Sequence, residues 1–176
     1  MLLFEFSRGV ARYREQPYSI HYTFEGRPRR YTPDFELTLA SGAVLLIEVK
    51  PEEKARAPEE EGRLRCIGDH FSELGVSFRV LTDIHIRRGT LLRNLNTLFP
   101  YLDRPMSRLQ RRLAVAPLLD EPFLTVSQAR DRLGSIAEVW RFLAQDLLTC
   151  DLSQQLTEST HLIIQNQEPG NDELHF

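Results

Sequence analysis

The chain has 176 residues, of which 41% are hydrophobic and 27% charged, and its formal net charge is −3. That length can bury a real core and hold one large or two small domains. No apolar run reaches the roughly eighteen residues of a membrane span, and a slightly acidic chain is not basic throughout, so any contact with nucleic acid must come from local patches.

Residues 1–9 read as the end of an apolar helix stopped at Gly9. The start lacks the charged n-region and long apolar stretch of a secretory signal. Cys66 and Cys150 stand far apart, with neither a zinc spacing nor a disulfide framework, so a reducing cytoplasm is the expected setting. Tyr18 to Phe24 alternates as a strand, and Glu25-Gly26-Arg27-Pro28 is a turn. Arg30 to Leu39 continues the sheet. Within it Phe35, Leu37 and Leu39 alternate with Glu36 and Thr38, the period of a half-buried strand. Ala40-Ser41-Gly42 is a hairpin turn, and Val44-Leu45-Leu46-Ile47 is an apolar run suited to a strand buried on both faces. Pro51 to Leu74 is charged and helical with breaks. Val76 to Leu81 is a further strand, and Thr90 to Leu98 carries a helical stripe closed by Phe99-Pro100. The order β-β-β-α-β-α predicts an α/β sandwich over residues 1–100.

Tyr101 to Pro105 reads as a linker and opens a second domain over residues 101–166, with a flexible tail over 167–176. Met106 to Leu119 predicts a basic helix. Thr125 to Leu133 is a helix capped by Thr125 or Ser127 and stopped at Gly134. Ser135 to Leu147 is a third helix, with Ile136, Val139, Trp140, Leu143 and Leu147 on one face. Two strands near Leu148–Leu152 and Thr160–Ile164 complete a small winged-helix-like module. Its third helix carries Glu138, Arg141 and Asp146, which suits protein docking better than groove reading.

The chemistry concentrates in Thr32-Pro33-Asp34 and Glu48-Val49-Lys50. Period two puts Glu48 and Lys50 on one strand face with Val49 on the other. Charges at the end of an apolar strand are costly unless paired or bound to an ion, and Pro51 ends the strand at once, leaving them at a mouth open to substrate. Two carboxylates and a lysine on the strands of one hairpin suit a nuclease that holds Mg²⁺ against a scissile phosphate. Turn capping by Asp34 and an exposed Glu48–Lys50 pair would explain the same residues. Lys50 and Lys54 are the only lysines beside twenty arginines, so an ammonium is kept where a guanidinium would differ chemically. Arginines gather between Arg8 and Arg30 and between Arg87 and Arg112, while acids gather at Glu52–Glu61 and in the tail, a distribution that suits phosphate contacts by part of the surface.

Six segments, ordered along the first hundred residues, resemble TnsA, the endonuclease subunit of heteromeric bacterial transposases within the PD-(D/E)xK superfamily. They are Leu3-Phe4-Glu5-Phe6, Arg14-Glu15-Gln16-Pro17, Arg30-Tyr31-Thr32-Pro33-Asp34-Phe35, Ile47-Glu48-Val49-Lys50-Pro51, Leu81-Thr82-Asp83-Ile84-His85-Ile86-Arg87 and Leu92-Arg93-Asn94-Leu95. The resemblance implies a restriction-endonuclease-like core that cuts the 5′ strand at transposon ends with Mg²⁺, or Mn²⁺ in its place. It implies a metal held at Asp34, Glu48 and the Val49 carbonyl, with Lys50 serving the attacking water. It also implies three partners: double-stranded DNA, a DDE transposase that cuts and joins the other strand, and an AAA+ ATPase regulator docking on the C-terminal region. One departure stands out. The family carries a further catalytic glutamate on its first helix, about two turns before the segment matching Phe4-Glu5-Phe6, and here that position falls before Met1. Glu5 as a substitute, a shortened reading frame and a docking subunit that cuts poorly are the readings this leaves. A restriction or repair nuclease of the same fold is the other alternative.

Overall fold

The computed structural model describes residues 2–102, 106–119 and 123–165. The chain divides into two compact units between Arg87 and Arg88. The helix read at Thr90–Leu98, expected with the first domain, therefore groups with the second unit. The expected tail and part of the Tyr101–Pro105 linker lie outside the described residues.

The first unit is α/β with a mixed sheet. Its strands are β1 (Val10–Glu15), β4 (Phe35–Leu39), β5 (Val44–Val49) and β6 (Ser77–Leu81), in the order β1-β4-β5-β6. The first three are antiparallel and β6 runs parallel to β5. β1 is missing from the sequence reading, because as an edge strand it turns only Val10 and Tyr13 inward and shows charge elsewhere. The apolar start is also shorter than expected: a single turn, α1 (Leu2–Glu5), rather than residues 1–9. β4 and β5 form the predicted hairpin. Leu39 and Ala43 close it, and Gly42 takes the left-handed conformation (φ 87°) that ends such a three-residue loop.

Cross-strand register sorts the sheet into two faces. Tyr13, Phe35, Leu37, Leu45 and Ile47 share one, where Phe4 of α1 meets the rings of Tyr13 and Phe35 edge-on. Leu46 and Glu48 point to the other. A separate two-stranded hairpin, β2 (Ile20–Phe24) with β3 (Arg27–Tyr31), interrupts what the sequence suggested was one run from Arg30 to Leu39. Tyr22 and Tyr31 of this hairpin are buried with Leu46 and with Ile67 and Phe71 of the helix α3 (Pro58–Glu73). Pro58 suits the first position of α3, and Glu59, Glu60 and Glu61 suit the positive end of its dipole. The chain between β5 and α3 forms a four-residue helix, α2 (Glu52–Ala55), whose Glu52 N–H donates to Asp83 at 2.8 Å. Asp83 opens α4 (Asp83–Ile86), directly after β6.

The second unit runs α5 (Leu91–Leu98), α6 (Arg108–Val115), β7 (Phe123–Thr125), α7 (Val126–Leu133), α8 (Ile136–Ala144), β8 (Leu148–Thr149) and β9 (His161–Ile164). Thr125 caps α7 by a reciprocal capping box with Gln128, and Ser135 caps α8. The two expected strands pair antiparallel as β8 and β9, and β7 adds a third strand to give the order β7-β9-β8. Ile136, assigned to the apolar face, is 38% exposed, and Phe142 is buried in its stead. Among the described residues no helix is long and apolar enough to cross a membrane.

Phe71 joins helix, hairpin and sheet. It is fully buried, stacks on Phe78 and meets Tyr31 edge-on. Phe71→Ala should therefore cost about 3–5 kcal/mol, the range for a buried Phe truncation, read as a lower urea midpoint with unchanged slope. A loss below about 1 kcal/mol would show that α3 is held by something other than this cluster.

Candidate active site

Glu48 is the next-to-last residue of β5, follows three residues that are almost wholly buried, and is itself only 7% exposed. A carboxylate there has to be compensated, and three groups do it. The Tyr31 hydroxyl donates to Glu48 Oε2 at 2.7 Å. Lys50, the first residue past β5, brings Nζ to 3.2 Å from Glu48 Oε1, and Arg63 Nη2 lies 3.9 Å from the same oxygen. Burial first, and then the bond to Glu48, push the Tyr31 hydroxyl far above its ordinary pKa, so it stays a donor.

Asp34 lies just before β4. The last paired residues are Phe35 and Ile47, so one further step sets Asp34 across from Glu48. Directly opposed residues bring their Cβ atoms to about 4.5–5.5 Å. Asp34 Oδ2 accepts the Val49 N–H at 2.7 Å. Its other oxygen has no hydrogen-bond partner among the described residues, and the side chain forms no ion pair there.

Glu60 and Arg63, in the first turns of α3, were not singled out from the sequence. Lys50 Nζ is 2.5 Å from Glu60 Oε1, and Arg63 grips both Glu60 oxygens at 2.7 and 2.8 Å. Arg63 also lies over the Tyr31 ring, 5.8 Å from its centre. Burial pulls the Lys50 ammonium down, but its bonds to Glu60 and Glu48 outweigh that and hold it above the ordinary lysine value. The Arg63 bond, with Lys50 behind it, holds Glu60 down at about 2. The only available signal was a cluster of acids beginning a helix soon after Lys50, a pattern that fits a solvated helix start equally well.

Residues 7–83 match a family model described as TnsA-like endonuclease N terminal. Over that segment the chain is similar to the N-terminal domain of TnsA-like endonucleases. The matched segment takes in Asp34, Glu48, Val49 and Lys50, together with Glu60 and Arg63. The matched family is one of endonucleases, and the match spans less than half of the chain. No curated protein matches the chain.

Glu5 stands apart from this site. Its carboxylate accepts the Tyr13 hydroxyl at 2.8 Å, and Tyr13 belongs to the sheet face opposite Glu48. Among the described residues no three His, Cys, Asp or Glu side chains gather as a metal cage. Any metal here must be held by fewer carboxylates, with backbone oxygen and water filling its shell.

Glu60 gives a pH test. Its pKa is depressed in the folded state, so its contribution is present above the unfolded value near 4.3 and is lost as pH falls towards 2. Glu60→Gln should cost about 1 kcal/mol or less at pH 7, because the group is partly solvated. The gap in melting temperature from the parent chain should close between about pH 5 and pH 2. A gap that stayed constant over that range would show that the Glu60 charge contributes nothing.

Proposed function

We propose that this chain is a Mg²⁺-dependent DNA endonuclease that cuts the 5′ strand at transposon ends, with Mn²⁺ an effective substitute. The observation that carries this reading is the Glu48–Lys50 pair at the mouth of β5, with Asp34 across from it and an Asp34 oxygen free of hydrogen bonds among the described residues. Asp34, Glu48 and the Val49 carbonyl offer only hard oxygens, the donor type Mg²⁺ takes while keeping several waters. The bonds already made to Glu48 leave lone pairs over, because a carboxylate has about four acceptor sites. When bound, the cation would acidify water in its shell and offset charge on the phosphate.

The remaining chemistry falls to this chain's own residues. Hydrolysis adds a water oxygen to phosphorus, breaks one ester P–O bond and returns a proton to the departing oxygen. Lys50 is held as an ammonium by Glu60 and Glu48, so it acts as a hydrogen-bond donor and offsets the charge that grows on the phosphate. The Asp34–Val49 bond fixes the backbone whose carbonyl would serve the metal. A DDE transposase working on the other strand, and an AAA+ ATPase regulator docking on the C-terminal region, complete the proposed assembly.

The second unit is read here as winged-helix-like. Support comes from three helices, α6 to α8, with a three-stranded antiparallel sheet that receives β7 before α7 and β8 with β9 after α8. On α8, Arg141 is ion-paired with Glu138, so the helix has no free arginine for a groove, and protein docking is its better use. A chain that mainly docks and cuts poorly is the second reading, favoured by the capture of Glu5 at Tyr13.

Asp34→Ala should abolish both calorimetric Mn²⁺ binding and nicking of duplex DNA. Lys50→Ala should leave metal affinity nearly intact and lower nicking by about 10²-fold or more, the scale for one preorganised charge-stabilising group. Equal loss of metal binding in both variants would overturn the assigned roles. Metal binding without nicking by the parent chain, even beside its transposase, would favour the docking reading.

A further inference from the structure

We propose that the β2–β3 hairpin is an arm that holds the phosphates of duplex DNA on the flank of the cleavage site. The proposal rests on reading Asp34, Glu48 and Lys50 as a DNA-cutting site, since that reading names the polyanion. The hairpin exposes His21, Arg27, Arg29 and Arg30. None of these side chains has an acidic partner among the described residues. Other arginines of the same unit do: Arg14 with Glu36, Arg56 with Glu52, Arg63 with Glu60 and Arg65 with Glu61. Among the described residues, acids thus pair with four arginines elsewhere in the unit and with none on the arm. The one acid in the hairpin, Glu25, sits in the turn at the far tip.

The arm is anchored where it meets the site. Tyr22 and Tyr31 are buried against Leu46, Ile67 and Phe71, with Ile20 and Phe24 packed beside them, and the Cys66 thiol donates to the Thr23 carbonyl at 3.4 Å. Tyr31, the last residue of β3, is the residue that donates to Glu48. Arg30 is its neighbour, and Arg27 lies four residues earlier, about 13 Å along an extended strand. The cations therefore start at the site and run away from it, over a reach that spans the phosphates next to the one being cut.

Phosphate rather than base is the chemistry these side chains fit. Register places Arg29 opposite Tyr22 and Arg27 opposite Phe24, while Arg30 stands opposite His21 on the other face. Charges on both faces of a ribbon meet backbone rather than a single base edge. The strands carry no Asn or Gln, the amides that read adenine. Arginine forks bind phosphate oxygens in pairs and give affinity without sequence information.

The test uses the full chain in EDTA, so that no strand is cut, and a scrambled DNA duplex of about thirty base pairs. Binding is titrated over a series of salt concentrations for the parent, for Arg27→Ala/Arg29→Ala/Arg30→Ala, and for Arg56→Ala/Arg65→Ala, two exposed arginines already paired with acids, as a loss of charge elsewhere. Each phosphate contact contributes about 0.9 to the slope of log affinity against log salt. The triple variant should lower that slope by roughly two to three units, with an unchanged melting temperature because all three side chains are exposed, and the control pair should change it by less than one. An unchanged slope in the triple variant, an equal fall in the control pair, or tighter binding to an RNA duplex of the same length would overturn the proposal. Nicking with Mg²⁺ is scored separately. A chain that never nicks but shows the predicted loss of slope would defeat the nuclease reading and leave the arm standing.

Discussion

A carboxylate 7% exposed at the end of an apolar strand sets the terms for everything around it. Left alone, the Glu48 charge would destabilise the strand, because a buried charge without a partner costs several kcal/mol. The Tyr31 hydroxyl, the Lys50 ammonium and the Arg63 guanidinium come from three different elements to prevent this. Each of these partners fixes the element that carries it. Tyr31 pins the base of the β2–β3 hairpin, Arg63 orients the start of α3, and Lys50 holds the chain as it leaves β5. The aromatic cluster of Tyr31, Phe71 and Phe78 then packs beneath this polar network. The polar network and the apolar core are one construction, and a change to either loosens the other.

Glu60 shows how the network closes. Lys50 and Arg63 together bring more positive charge than Glu48 alone balances, and Glu60 takes up the excess by binding both. Its place at the start of α3 suits this role, since the helix dipole favours an anion there and Arg63 is one turn further on. The arginines of the hairpin have no such counter-anion among the described residues. The same unit thus contains one region where charge is matched locally and another where it is left for a ligand.

The β4–β5 hairpin was legible in the sequence because three signals agreed: alternation from Phe35 to Leu39, the turn at Ala40–Gly42, and the apolar run that follows. The nearness of Glu48 and Lys50 followed from period two alone. β1 was not legible, since its outward residues are charged and only Val10 and Tyr13 turn in. The break between Tyr31 and Phe35 was not legible either, although Thr32-Pro33 could have signalled it. Pro33 has no N–H for a ladder and restricts Thr32, so β3 ends there and pairs with β2 instead of continuing into β4. Glu60 and Arg63 act across a loop and a helix start. Periodicity, which reports only which face a residue shares with its near neighbours, cannot see such a contact.

Charge counting connects the network to the proposed chemistry. Asp34, Glu48 and Glu60 supply three negative charges, and Lys50 and Arg63 supply two positive ones. The five side chains therefore carry one net negative charge, which attracts a divalent cation and disfavours a phosphodiester on its own. Under the proposed nuclease reading a held cation would make the sum one net positive charge, which a single phosphodiester would neutralise. Under the nuclease reading the site reaches neutrality only when metal and DNA are both present, so each makes the binding of the other more favourable. In the partly desolvated mouth of β5 that coupling is stronger than it would be in open water. Lys50 need not change its proton count at any stage, which fits a role as a fixed charge for the transition state rather than as a base.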